Sequence, residues 1–207
     1  MCRILVISDI HGNLEDLLYL TGRSNRREYQ FLKEEFDRVF LLGDYIGDNP
    51  TYCTVAQGDS VLEFIKDYLI DNEDNIILLG NHEQCEIEEE KKRHPQFKNL
   101  LKKLPEQQTV FINDRRIHLQ HSIGNALPDV DVMIMSDEIE ADIILFGHDH
   151  QSRILKYDKK ILINPGSLWG NLGGYSHTYA LLDLDANRVS IKSVKNSELT
   201  LIKSCDI

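Results

Sequence analysis

Residues 75–83 read NIILLGNHE. An apolar run, 76–79, stops at Gly80 and is followed at once by Asn81, His82 and Glu83, side chains able to ligate a metal ion or move a proton. A short buried strand that ends in glycine and hands over to polar groups is how a loop carrying chemistry begins. The same grammar recurs. RILVIS (3–8) runs into Asp9 and His11, RVFLLG (38–43) into Asp44, RIHLQ (116–120) into His121, and DIILFG (142–147) into His148, Asp149 and His150. Five strand-like runs release the chain at an Asp, Asn or His, which predicts one site built where several strands end.

Between these runs the first half reads as strand–helix units. Asn13 is placed to cap a helix carrying Leu14, Leu17 and Leu18, a second helix is plausible around 28–35, and Ser60 with Glu63 has the spacing of a capping box. That leaves 43–58 as a long loop rich in turn residues. Residues 84–108 differ in kind: they are dense in charge, and Phe97, Leu100, Leu101 and Leu104 make an apolar stripe, so two short helices forming a cap beside the GNHE stretch are expected. The second half is mostly strand, with tight turns at Asn113-Asp114 and Asp158 and an antiparallel finish over 178–203. Strand–helix units followed by a strand-rich half point to two packed sheets with helices outside.

A length of 207 residues fits a single domain, 1–207, with a small helical insertion at about 84–108. The formal net charge of −11 argues against nucleic-acid binding, which needs a basic surface. No apolar run approaches the about 20 residues of a membrane span, nothing at the start reads as a signal peptide, and the four cysteines are widely spaced. A cytoplasmic protein with reduced thiols and no membrane partner is expected.

The candidate ligands are Asp9, His11, Asp44, Asn81, His121, His148 and His150. They are oxygen and imidazole donors without a thiolate, a set that suits Mn, Fe, Zn or a similar divalent ion rather than a structural zinc site. Seven side chains are too many for one ion and about right for two. Paired divalent ions clamp both the attacking and the leaving oxygen of a phosphoryl centre. Set against Asp9, Asp44 and a bridging hydroxide, two such ions leave a pocket of about +1, which reconciles an acidic chain with an anionic substrate. His82, next to Asn81 in a tight loop, is expected to point a different way, toward the leaving group, and an imidazole there is suited to protonate a departing alkoxide. Taken singly, each of these residues has an ordinary reading as a turn former or a satisfied loop group; the joint pattern carries the inference. His94, His118 and His177 read as structural or surface groups, Cys85 as having no role, and Trp169 as packing or pocket wall.

In combination DIH (9–11), GD (43–44), GNHE (80–83), the lone His121 and GHDH (147–150) resemble the five motif blocks of the calcineurin-like metallophosphoesterase superfamily, in its order. SDIHGNLEDL (8–17) and INPGSL (163–168) resemble its small prokaryotic phosphoesterase branch. The resemblance implies a mixed α/β (α+β) fold, a four-layer αββα sandwich of two mixed β-sheets flanked by helices. It implies Asp9, His11 and His150 on one metal, Asn81, His121 and His148 on the other, and Asp44 bridging. His82 is then the proton donor and a substrate contact, and a metal-bridging hydroxide attacks phosphorus. The expected cofactor is two divalent ions, Mn²⁺ first, with Fe, Zn, Ni or Co in its place. The expected substrate is a small phosphodiester or phosphomonoester or a nucleotide. The alternatives are a diadenosine polyphosphate hydrolase, a protein phosphatase-like enzyme, or a non-catalytic scaffold of the kind the superfamily's retromer subunit represents.

Three departures bear on substrate choice. Where the phosphoprotein phosphatases and related diadenosine tetraphosphatases usually read GDxxDRG, this chain has GDYIGDNP (43–50); it lacks the arginine and offers Asn49 as a substrate contact. Ser122 follows His121 where glycine is usual, and Asp149 stands where Thr or Ser is common and is expected to point away from the ions. Glu83 is expected to orient or cap the segment that follows it.

Overall fold

A computed structural model describes residues 2–23, 35–47, 53–88, 93–124, 128–169, 177–195 and 198–207. Asn49, the expected helix around 28–35 and the charged run 89–92 lie outside the described residues.

Two mixed sheets form the centre. The first contains β1 (Arg3–Ile7), β2 (Arg38–Leu41), β3 (Ile76–Ile77), β9 (Thr178–Asp183), β10 (Arg188–Lys195) and β11 (Glu198–Asp206), in the order β11-β10-β9-β1-β2-β3. The second contains β4 (Gln107–Ile112), β5 (Arg115–Gln120), β6 (Ile143–Leu145), β7 (Arg153–Tyr157) and β8 (Lys160–Asn164), in the order β4-β5-β6-β8-β7. β1, β2 and β3 run parallel in the first sheet, as do β5, β6 and β8 in the second; the outer strands are antiparallel.

Strand alternation explains the layering. In β1, Ile4 and Val6 face the second sheet and share a core with Phe40, Ile117, Leu119, Ile143 and Leu145. Leu5 and Ile7 face the other way, against Leu17 of α1 (Leu14–Leu20) and Val61 and Ile65 of α2 (Val55–Tyr68). In β6 the alternate residue, Ile144, meets Val132 of α5 (Asp129–Met135). Strands buried on both faces read as continuous apolar runs, which is why the sequence shows runs and not alternation. Three apolar seams thus separate four layers, and the αββα expectation holds. No helix among the described residues is long and apolar enough to cross a membrane.

Local readings fare unevenly. Asn13 caps α1, accepting from Asp16 N. The Asn113-Asp114 turn has both residues at positive φ, 48° and 58°, as a two-residue hairpin of this twist requires. The capping box is not at Ser60: α2 starts at Val55, capped by Thr54 and Gln57, and Ser60 lies inside it, its Oγ donating to Ala56 O. Gly58 hides this start. It reads as a loop residue but is buried in the helix, where a Cβ would lie 2.7 Å from His94 Cε1. The strand expected over 76–79 pairs only at Ile76–Ile77, because Leu79 N already turns to Pro105 O. Helix α3 (Asn81–Glu88) begins inside the GNHE stretch, so Asn81 and His82 sit in its first turn. A 3-10 turn (Pro95–Phe97) and α4 (Lys98–Leu101) follow, and Phe97, Leu101 and Leu104 enter the same apolar seam as α1 and α2. α5 was not legible: of its larger apolar side chains only Val132 is buried, while Val130, Ile134 and Met135 are exposed, so it has no clear stripe.

Candidate metal centre

The parallel strands of both sheets point their carboxyl ends to one edge of the sandwich, where open α/β sheets hold ligands. The loops leaving β1 and β2 are stitched together there: Asp9 N donates to Gly43 O, and Ile10 N and His11 N both donate to Asp44 O. Asp9, His11, Asp44, His148 and His150 all have positive φ, between 40° and 75°. Non-glycine residues in that region are uncommon and cluster where side chains are held for function. The conformation turns each side chain out of the pleat toward a shared centre.

The seven expected ligands converge. Asp9, His11 and His150 form one compact buried group, and Asp44, His121 and the half-buried His148 another compact group. His150 Nε2 lies 3.2 Å from Asp9 Oδ1 and from His11 Nε2, and His121 Nε2 lies 3.2 Å from Asp44 Oδ2. Asn81 Oδ1 stands 3.0 Å from His121 Nε2 and 2.8 Å from His148 Nδ1. His82 also enters: its Nε2 is 3.7 Å from Asp44 Oδ2, its backbone N–H donates to Asp44 Oδ1, and its ring stands edge-on to His11 at 5.1 Å. With His11 and Asp44 it makes a third compact group, so position alone admits it as ligand or as acid.

The donors are oriented from behind. His11 Nδ1 donates to Ile46 O and His121 Nδ1 to Leu42 O, each at 2.8 Å, which leaves both Nε2 atoms aimed inward. Glu83, fully buried, accepts from four backbone N–H groups, those of Asp44, Tyr45, Ile46 and Gly80. Burial and the nearby Asp44 charge push its carboxyl up to about 7 while the N–H donors pull it down; since every hydrogen-bond partner is a donor, the arrangement serves the ionised form. Glu83 thus orients the loop after β2 and the turn at Gly80 rather than the segment after it. Gly80 lies so close to Asp44 that a Cβ would fall 2.1 Å from its Oδ1. The INPGSL stretch braces the other loops: Asn164 Nδ2 donates to Gly147 O and Asp149 Oδ1, and Ser167 Oγ to Asp9 O. Asp149 points away from the centre, onto Arg153, Asn164 and Gln151 N.

Charge and burial oppose each other here. Burial favours neutral carboxyls, yet His121, His82 and His11 hold Asp44 well below the usual carboxylate range, and His150 and His121 lower Asp9. Burial disfavours a charged His121, but the Asp44 charge and hydrogen bond raise it to about 9. Burial lowers His11 and His148.

This constellation fits divalent ions. Asp9 Oδ1 is buried with no hydrogen-bond partner, although it faces His150 Nε2. A buried carboxylate oxygen in that state has coordination capacity left for a cation. The donors are nitrogen and oxygen throughout, a set that suits Mn, Fe or Zn.

Arg93 and Glu86 shape the site without a role visible in the sequence, while Trp169 takes the place of pocket wall expected of it. Arg93, from the charged segment, places its guanidinium on the carbonyls of Gly47 and Cys53, holding the ends of the loop after Asp44. Glu86 fixes Arg93 and His94 through their backbone N–H groups. Trp169 stands edge-on to His11, with ring centroids 5.7 Å apart. Ser122 Oγ accepts from Gly124 N. Of the histidines set aside, His94 is buried against Asp59, His177 meets Asp16, and His118 lies between Thr109 and Gln120.

Two clefts of about 370 Å³ each adjoin the centre. One opens beside Asn81, His121 and His148. The other opens beside His11 and is walled by Asn13, Gln57, Trp169 and His177.

The chain matches no curated protein at a significant level. Solved structures do overlay it. The phosphoesterase YfcE of E. coli is 20% identical, with a TM-score of 0.64 and coverage of 99% of each chain. An archaeal phosphodiesterase is 18% identical, with a TM-score of 0.56 over 97% of this chain and 98% of that one. Vps29 of Entamoeba histolytica, solved with zinc, is 16% identical, with a TM-score of 0.59 over 99% and 98%. At these identities the overlays speak for the fold. The profile of the calcineurin-like phosphoesterase superfamily domain matches residues 2–187. With that match over nearly all of its length, the chain belongs to the calcineurin-like phosphoesterase superfamily.

Proposed function

We propose that this protein is a metal-dependent phosphodiesterase acting on a small phosphoester or nucleotide in the cytoplasm. The observation that carries the reading is the set of two carboxylates, four imidazoles and one amide, five of the seven buried, gathered at strand ends of both sheets. Asp9, His11 and His150 would hold one divalent ion and Asn81, His121 and His148 a second, with Asp44 between them; Mn²⁺ is the first choice for this donor set. When bound, the ions would polarise the phosphoryl group and make water a competent nucleophile near neutral pH. Their charge outweighs Asp9 and Asp44 locally and draws an anionic ester into an acidic protein.

His82 supplies the proton for the departing oxygen. Its backbone is fixed on Asp44 and its imidazole stands against His11 at the centre's edge, so it can present N–H to an ester without being spent as a ligand. A cleft on each side supports a diester, which has a second substituent to place; a monoester has one.

The test is an assay of purified protein with Mn²⁺ on bis-p-nitrophenyl phosphate and p-nitrophenyl phosphate, with metal content measured. The diester is expected to turn over faster. No turnover of either by metal-loaded protein would leave a scaffold of the same fold, the alternative to which the likeness to Vps29 points. Faster monoester turnover would overturn the diesterase assignment. His82→Ala is expected to lose about 10²–10⁴-fold in kcat, the usual worth of a general acid, with both metals retained. Metal loss in that variant would make His82 a ligand instead.

A further inference from the structure

The cleft beside Asn81, His121 and His148 has walls of a distinct chemistry. Gln84 comes from α3, Glu106 and Gln107 from the bend before β4 and its first residue, and Gln120 and Ser122 from the end of β5 and the turn after it. None of these residues belongs to the motif blocks except Ser122, which flanks His121. Three primary amides and a hydroxyl meet in one space beside the candidate metal centre. Among the described lining residues there is no lysine or arginine, and the one charged group outside the metal set is a carboxylate.

One of the amides is held in a directional chain. Thr109 Oγ1 and His118 Nδ1 are 2.8 Å apart, His118 Nε2 and Gln120 Oε1 are 3.0 Å apart, and Gln120 Nε2 donates to Ser122 O at 2.9 Å. Read from one end, each group donates to the next: hydroxyl to imidazole, imidazole to amide oxygen, amide nitrogen to carbonyl. This fixes the Gln120 amide before any ligand arrives, so His118 does more than fill a strand position. Pre-oriented polar groups recognise a partner at a lower ordering cost than mobile ones.

A primary amide both donates and accepts, so paired amides match the mixed donor–acceptor edge of a base or the hydroxyls of a sugar. They have no special complement for an apolar arm. Glu106 repels an arm carrying further phosphate, and no basic side chain in the cleft offsets that.

We infer that this cleft receives an uncharged, hydrogen-bonding arm of the ester, of the nucleoside type, and disfavours arms that carry additional phosphate. The inference rests on the phosphodiesterase reading and narrows it away from dinucleoside polyphosphates.

Two diesters with the same leaving group test it: thymidine 5′-(p-nitrophenyl phosphate) and bis-p-nitrophenyl phosphate differ only in the retained arm. The metal-loaded wild type should favour the thymidine ester in kcat/KM. In a Gln84→Leu/Gln107→Leu double variant that ratio should fall about fivefold or more, mainly through KM, as the loss of one or two neutral hydrogen bonds implies. Glu106→Gln should raise kcat/KM on diadenosine tetraphosphate relative to the thymidine ester. An unchanged ratio in the double variant overturns the inference. A second measurement decides the cleft even if no ester turns over, an outcome that would fell the diesterase reading alone. In protein loaded with diamagnetic Zn²⁺, thymidine 5′-monophosphate should shift the side-chain amide resonances of Gln84, Gln107 and Gln120. Shifts confined to other residues overturn the assignment of the cleft.

Discussion

From the first sheet's side come Asp9, His11 and Asp44, with Asn81 from the first turn of α3; from the second sheet come His121, His148 and His150. One side thus provides both carboxylates and the amide, the other only imidazoles. The carboxylates are charged groups out of water, and backbone N–H groups hold them: His148 N on Asp9 Oδ2, His82 N on Asp44 Oδ1, and four more on Glu83 behind them. The imidazoles need an orientation and a tautomer, and for His121 these come from Leu42 O, a carbonyl of the opposite side. Neither half is complete alone. The difference teaches that this site is a product of sheet packing, so metal affinity and the packing of the two sheets are linked.

That contrast can be broken in order of expected effect. Asp44→Asn removes the charge that both compact groups lean on, with little change in shape. It should cost about 10³-fold in turnover and empty at least one metal position, more than the about 10–100-fold that follows changes in residues behind a ligand. A smaller loss, with full metal content, would mean that the imidazole half suffices.

Glu83→Gln tests the bracing of the oxygen half. The amide NH₂ would face backbone N–H groups that now donate to Glu83, and each buried donor left unsatisfied costs about 1–3 kcal/mol, so a loss of about 3 kcal/mol in denaturant unfolding is expected. A change below about 0.5 kcal/mol, the scale of surface substitutions, would show that Glu83 is not the brace.

The smallest effect concerns the imidazole half and pH. In metal-free protein the Asp44 charge raises His121 to about 9, so it carries a proton at neutrality that a metal must displace. The stabilisation from that proton is fully present below the ordinary histidine value of 6.5 and is lost as pH rises through about 9. Metal affinity should therefore rise about tenfold per pH unit for each proton displaced, up to about pH 9. Titration calorimetry in buffers of different ionisation enthalpy would count the protons released; none released near pH 7 would refute a protonated His121.

Much of the site was legible because its residues stand directly after apolar runs, and the end of a buried strand is visible in one dimension. Glu83 was partly legible. Its place in GNHE marks it, but the four N–H groups it serves come from two separate loops, and sequence does not say which way a carboxylate turns. Arg93 left no trace, since its partners are carbonyls, which every residue has. The capping box shows a subtler failure: Thr54 and Ser60 both fit the pattern, and in the structure Thr54 and Gln57 close the box while Ser60 lies inside the helix beside the buried Gly58.

By itself, then, the chain order of apolar runs and donors determined the layered fold and the identity of the converging residues. Strand period and burial on both faces are local properties written into side-chain type. Tertiary structure alone decided the division of the donors between two sheets, the left-handed backbone that aims them and the shape of the two clefts. Those depend on contacts between segments far apart in sequence, and such contacts exist only once the sheets have packed.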